Sequence, residues 1–358
     1  MSRNTKPDNP HGSKHIMNET TRTSEWVSTG HPDKTCDYIA SYLLDRYLEE
    51  DPRTRYAMEV QMKDNHVTLG GEIASDVRFT RYEIEEFVKD AVREVGYDRE
   101  YRRRWGARHV PCADDLDIVA HLGVQSADIA QGVDTDAWGD QGIFWGMATG
   151  CRETNGMPLD HWLARRIGLA LLNAGIGGID VKTQVSLRNG SVTKAIAAIP
   201  LAEKGLEETA EAIIRRIIGT DSGAEVIVNG TGRYVTHGSV GDCGTTGRKL
   251  AVDFYGGNCR VGGGCPWGKD ATKADVSLNI YARKKALECV RKHGLETAYS
   301  AISCCIGRRE IDISIYDGRG DLVEEQHENR PASEIISELG LDAPVFANLC
   351  KKGLFYHA

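Results

Sequence analysis

The chain has no apolar run close to the roughly 20 residues that cross a bilayer, so no transmembrane helix is expected. It has no excess of basic charge either. At a net charge of -8, a broad nucleic-acid-binding surface is not expected. The ten cysteines contain no C-x-x-C pair, and Cys304 and Cys305 are adjacent, which suits neither a zinc site nor an ordinary disulfide framework. The polar N-terminus lacks the apolar core of a secretion signal. Residues 1–22 therefore read as a flexible leader, and the compartment as the reducing cytoplasm. One further absence bears on chemistry. Gly263 to Lys269 fits the G-x-x-x-x-G-K part of a Walker A loop, but Asp270 stands where that motif needs Ser or Thr. An ordinary P-loop kinase or NTPase is disfavoured.

What is present is a threefold order of elements. Helical apolar spacing runs over Cys36 to Asp51, followed by two strands around Lys63-Asp64-Asn65 and a helix in RYEIEEFVKDAVREVG. The middle third repeats this with a helix over Asp160 to Gly175, strands around Asn189-Gly190 and the helix EETAEAIIRRIIG. The last third has a helix over Asp275 to Gly294, strands flanking Asp317-Gly318-Arg319-Gly320, and PASEIISELG. The repeat length is about 115–124 residues, within the usual size of a domain. The expectation is an α+β fold of three pseudo-repeated domains, each a mixed or antiparallel sheet with helices on one face. The cuts fall at 23–133, 134–232 and 233–358.

Four segments carry candidate chemistry. In GHPDK, His31, Asp33 and Lys34 stand just ahead of a helix, whose N-terminus favours anions. A lone Asp there is an N-cap; with its neighbours it reads as a metal–phosphate site, Asp33 offering the hard oxygen that Mg²⁺ prefers. Glu59 alternates with the apolar Met58, Val60 and Met62, so it faces away from them, and Glu72 follows two glycines. Taken alone, either glutamate reads as a solvated strand residue. The loop from Val124 to Gly142 holds Gln125, Asp134, Asp136 and Asp140, candidates for a zwitterion, or else a plain surface loop. Finally, Arg233, Arg248, Lys249, Lys269 and Lys273 are interleaved with Asp242, Asp270, Asp275 and many glycines. A polyphosphate with Mg²⁺ fits both signs of charge.

Taken together, GHPDK, GGEI, GDQG, GDCGTTGRK and GGGCPWGKD occur in the order and near the spacing of S-adenosylmethionine synthetases, and the chain resembles that family from Ser24 onward. The resemblance implies attack of the methionine sulfur on C5′ of ATP, then hydrolysis of the bound triphosphate to pyrophosphate and phosphate. It implies two Mg²⁺, held by Asp33 and Asp275, and a K⁺ served by Glu59. ATP would be bound by His31, Asp180, Lys182, Arg233, Tyr234, Asp242, Arg248, Lys249, Cys265 and Lys269, with Tyr234 stacking on adenine. Methionine would meet Glu72, Gln125, Asp140, Asp242, Lys269 and Lys273. His31, Lys182, Arg248 and Lys269 would act on the reaction itself. Members are homodimers with shared sites, often paired into tetramers.

The chain also departs from the family. The loop from Val133 to Gly139 is shorter than in typical members, and Cys265-Pro266-Trp267 replaces Ala-Phe-Ser. Trp26 and Thr29 replace a Ser and a Glu, and the C-terminus is abbreviated. The alternative is a non-catalytic or substrate-shifted homologue that binds nucleotide; it would be expected to lack one of His31, Asp33, Lys269 or Asp275, and all four are present.

Overall fold

The computed structural model describes residues 21–123 and 136–356. The expected helices and hairpins form where local chemistry favours them. Helix α1 (Pro32–Glu50) starts with Pro at its first position, and His31 caps it. Strands β2 (Arg55–Lys63) and β3 (His66–Ala74) form a hairpin whose turn residue Asp64 has φ 54. Helix α2 (Arg81–Val95) is opened by a Thr80–Glu83 capping box and closed by Gly96 in the left-handed conformation. After α3 (Arg99–Trp105), β4 (Asp117–Gly123) returns parallel to β3.

The second unit contains α4 (Leu159–Ala174), β6 (Lys182–Arg188), β7 (Ser191–Ala198), α5 (Leu206–Ile218) and β8 (Glu225–Val228). Asn189 and Gly190, at φ 52 and 81, make the tight turn between β6 and β7. The third contains α7 (Ala274–His293), β10 (Thr297–Cys304), β11 (Glu310–Asp317), β12 (Leu322–Asn329), α8 (Ala332–Glu338) and α9 (Phe346–Lys352).

Each of the three sheets has four strands, and each takes one edge strand from elsewhere in the chain. The orders are β1-β6-β7-β8, β9-β2-β3-β4 and β5-β10-β11-β12. Here β1 is Thr21–Val27, β5 is Gly142–Thr149 and β9 is Gly244–Thr245. The incoming strand is antiparallel to the first hairpin strand in all three. The fold is therefore α+β with a threefold sheet pattern, but the sheets do not follow the contiguous cuts expected at 133/134 and 232/233. Thr21 and Arg22, expected in the leader, pair with Arg188 and Leu187. The third sheet also differs in connection: β12 follows β11 directly and is antiparallel, whereas β4 and β8 arrive through helices and are parallel.

The strand alternation sets up a two-faced first sheet. Tyr56, Met58, Val60 and Met62 point into a core shared with α1 and α2, while Glu59 and Gln61 are exposed on the opposite face. On the same outer face, Val119 of β4 is 43% exposed.

Candidate active site

The N-terminus of α1 meets the GDCGTTGRK segment, and the contact is made through backbone. A Cβ on Gly244 would lie 2.2 Å from the Pro32 carbonyl oxygen, so only glycine lets β9 approach so closely. The Thr245 N–H then donates to Oδ1 of Asp33 at 2.9 Å. Arg248 lies 3.2 Å from the same oxygen, and Lys249 donates to Oδ2 at 2.5 Å. The Asp33 side chain is 1% exposed. It is a buried carboxylate surrounded by donors.

His31 accepts the Asp33 N–H on Nδ1 at 3.1 Å. The neutral ring thus carries its hydrogen on Nε2. Burial, and then Lys249, push its pKa down to about 3, against the opposing pull of Asp33. Lys182 also depresses it, and Asp180 is close enough to Asp33 to feel its charge. Lys182 pairs with Glu25 at 2.8 Å. Buried Asp180 accepts the Gly238 N–H at 2.8 Å and the Tyr234 hydroxyl. Burial raises the Asp180 pKa to about 6, partly offset by those two donors, and nearby Asp242 adds to the rise. Tyr234 is held by Asp180 and meets His237 edge-on at 6.2 Å. Asp242 is exposed and caps its own turn at Cys243, and Arg233 is exposed next to Tyr234.

The glycine loop builds a second cluster. Residues Gly268 to Asp270 lie along the edge of β2, with Lys269 bridging to Ala57. Lys269 donates to Oδ2 of Asp275 at 2.5 Å, and the Gly264 N–H donates to Oδ1 at 2.6 Å. Gly263, at φ 71, has no room for a side chain beside Phe144 and Asp275. Cys265 is used within the loop: its sulfur accepts the Trp267 N–H at 3.3 Å. Lys273 pairs with buried Asp270, which also accepts the Tyr56 N–H. Asp270 is thus a structural anchor and no substitute for a Walker hydroxyl.

The two clusters share one strand edge. Thr245 pairs with Gln61 and Lys269 with Ala57, so they stand roughly 13 Å apart at about 3.3 Å per residue. Glu59 lies between them on the exposed face; desolvation raises its carboxyl from the ordinary value, and Lys269 counters this. Glu72 lies on the same sheet, opposite Ala57. Asp140 is exposed, and its carboxylate accepts the Gln141 N–H. Asp136 is turned toward α8, accepting from the Ser333 N–H and hydroxyl. Gln125 and Asp134 lie outside the described residues.

One expected site residue belongs to the interior. Lys34 sits 2.7 Å from Asp253 and 3.1 Å from Asp37, with a side chain 5% exposed, and its ammonium lies over the Trp267 ring. Successive helix residues diverge by about 100°, so Asp33 and Lys34 cannot both face the same ligand. Trp267 donates its indole N–H to Asp253 at 2.7 Å, so the unusual residue of the loop completes this buried cluster. Asp253 carries no local signal in the sequence, because its role depends on a contact across 219 residues.

Comparison with known proteins decides what the clusters belong to. The S-adenosylmethionine synthetase N-terminal domain model matches residues 19–119, and the C-terminal domain model matches residues 236–358. S-adenosylmethionine synthase 2 of Rhodospirillum rubrum is 34% identical over 93% of this chain and 91% of its own length. The S-adenosylmethionine synthase of Granulibacter bethesdensis is 33% identical over the same shares. The chain belongs to the S-adenosylmethionine synthetase family. As a member it is an enzyme, a methionine adenosyltransferase. The fold agrees: an unusual S-adenosylmethionine synthetase from Campylobacter jejuni superposes with a TM-score of 0.82 at 28% identity, covering 93% of this chain and 94% of that one. The matched domain models span both halves of the site, GHPDK in the first and GDCGTTGRK through Lys273 in the second.

Proposed function

We propose that the chain makes S-adenosylmethionine from ATP and L-methionine and cleaves the resulting triphosphate to pyrophosphate and phosphate before release. The observation that carries this reading is the Asp33 cluster: a lysine and an arginine converge on one buried carboxylate at a helix N-terminus, beside a neutral imidazole that caps the helix.

In the transfer step, a lone pair on the methionine sulfur forms a bond to C5′. The C5′–O bond breaks, and its electrons pass to the triphosphate. No side chain is consumed, so rate must come from positioning and from charges aimed at the leaving oxygen. Neutral His31 offers its Nε2–H to that oxygen. Arg248 and Lys249 exchange part of their hold on Asp33 for the phosphates, and Lys182 adds charge nearby. Lys269 plays the corresponding part from the second cluster. Tyr234, fixed by Asp180, presents a ring for adenine, with Arg233, Asp242 and Cys265 at the margin. Glu72, Gln125, Asp140, Asp242, Lys269 and Lys273 are assigned to methionine, whose ammonium and carboxylate need both signs of charge.

Asp33 and Asp275 fit Mg²⁺. Each is a carboxylate held by N–H donors and offers hard oxygen, and phosphate oxygens would fill the remaining positions. When bound, Mg²⁺ neutralises the triphosphate and polarises it for hydrolysis. Exposed, partly desolvated Glu59 fits a K⁺ between the clusters. The open face of the first sheet, with Val119 exposed beside Glu59 and Gln61, supports a homodimer in which each site draws on both subunits, and the cytoplasm is the expected compartment.

The reading is tested by incubating the purified chain with ATP, L-methionine, Mg²⁺ and K⁺ and detecting S-adenosylmethionine, phosphate and pyrophosphate together. Equal amounts of the three, all requiring methionine, are expected. Phosphate release that ignores methionine would favour the nucleotide-binding homologue.

A further inference from the structure

Far from the clusters above, the last turn of α7 packs on β12 and brings three metal-binding side chains together. Cys289 and His293 are four residues apart on α7, so they share a helix face. Glu324 faces them from β12. One ligand atom from each lies within 4.8 Å of the other two. We propose that Cys289, His293 and Glu324 form a binding site for a borderline-soft divalent cation, zinc in particular, separate from the Mg²⁺ positions.

The donor set favours this class of ion. Sulfur, imidazole nitrogen and carboxylate oxygen are the three ligand types zinc accepts, whereas Mg²⁺ and K⁺ avoid thiolate. In a tetrahedral site the ligand atoms stand roughly 3.3–3.7 Å apart, from bond lengths of about 2.0–2.3 Å, so small rotamer changes close the triangle. Three protein ligands leave a fourth position for water.

The metal-free contacts show what binding must rearrange. His293 Nε2 lies 2.5 Å from Oε1 of Glu324, Lys292 lies 2.8 Å from that same oxygen, and Gln326 donates to Oε2 at 2.8 Å. Lys292 and His293 hold the Glu324 pKa down to about 2, so the carboxylate is ionised and ready to ligate. Lys292, with a side chain 65% exposed, is free to swing into water. The Cys289 residue is 2% exposed, and burial with Glu324 nearby raises its thiol. Binding therefore releases the thiol proton, and the His293 hydrogen moves to Nδ1 so that Nε2 can coordinate. The ion would tie the end of α7 to β12, while the start of the same helix carries Asp275.

Cobalt(II) serves as the visible probe. The full chain, stripped with EDTA and held in excess Mg²⁺ to fill the hard-ion positions, is titrated with Co²⁺. One equivalent should produce a thiolate-to-cobalt charge-transfer band, and Zn²⁺ should displace it. Cys289→Ser should lose the band. The variants His293→Gln and Glu324→Gln, at an exposed and a half-buried position that leave the apolar core unchanged, should weaken Co²⁺ binding about tenfold or more. No band at one equivalent, or an undiminished band in Cys289→Ser or His293→Gln, would overturn the proposal.

Discussion

Lys249 donates to Asp33 at 2.5 Å although the two lie 216 residues apart in the chain. In the free enzyme this pair keeps a buried carboxylate neutralised; under the proposed function, a polyanion with its metal takes the place of the lysine. Asp33→Asn keeps the shape and an acceptor for Thr245 but removes the charge. It should lower kcat/KM by about a hundredfold or more while the melting temperature moves only a few degrees, and chelation with EDTA should stop the parent enzyme outright. Steady-state kinetics beside thermal melts checks this; full activity in excess EDTA would remove Asp33 and Asp275 from the metal role.

Lys269 makes a comparable pair with Asp275, yet its side chain is 22% exposed. Lys269→Ala should cut kcat by about 10²–10³ and cost little stability, since a partly exposed ion pair contributes about 0–1 kcal/mol. Urea unfolding and turnover measured on the same preparation separate the two effects. Equal losses in both would make Lys269 a structural residue.

Lys34 should behave in the opposite way. Lys34→Met leaves Asp253 and Asp37 buried together without their cation, a loss of about 3–5 kcal/mol. Unfolding midpoints should fall well before kcat does in the fraction that remains folded. A variant of normal stability and no activity would return Lys34 to the phosphate site.

His31 is expected to stay neutral through the working range. Its folded pKa of about 3 lies below the unfolded value of about 6.5, so protonation favours the unfolded chain. The stability linked to this group is complete above about pH 6.5 and declines as pH falls toward 3, by up to about 1.4 kcal/mol per pH unit. Ring resonances assigned with a His31→Asn control should not titrate between about pH 5 and 8; a midpoint near 6.5 would contradict the buried, donor-surrounded environment.

The parts of this molecule that the sequence made legible are those with local causes. Asn189-Gly190 turns a hairpin, Thr80 and Glu83 open a helix, and the Met58–Val60–Met62 alternation puts Glu59 on the outer face. Strands β1, β5 and β9 were not legible, because each pairs with a strand some 148 residues or more away and gains its identity only there. The same holds inside the site. GHPDK showed three reactive residues within four positions, but helix geometry turns Lys34 toward Asp253 while Asp33 faces Thr245, Arg248 and Lys249. Trp267 looked like a disturbance of the glycine loop; its 2% exposure and its bond to Asp253 make it a core residue that steadies the loop from beneath.

Under the proposed function, the first bond to break is C5′–O of ATP. ATP carrying a heavy oxygen isotope at the 5′ bridging position, supplied with methionine and Mg²⁺, tests it directly by mass spectrometry of all products. Unlabelled S-adenosylmethionine is expected, with all of the heavy oxygen in pyrophosphate and phosphate. Heavy oxygen retained on the nucleoside, as AMP or ADP, would mean that the site cleaves phosphorus–oxygen bonds alone and that adenosyl transfer is not its reaction.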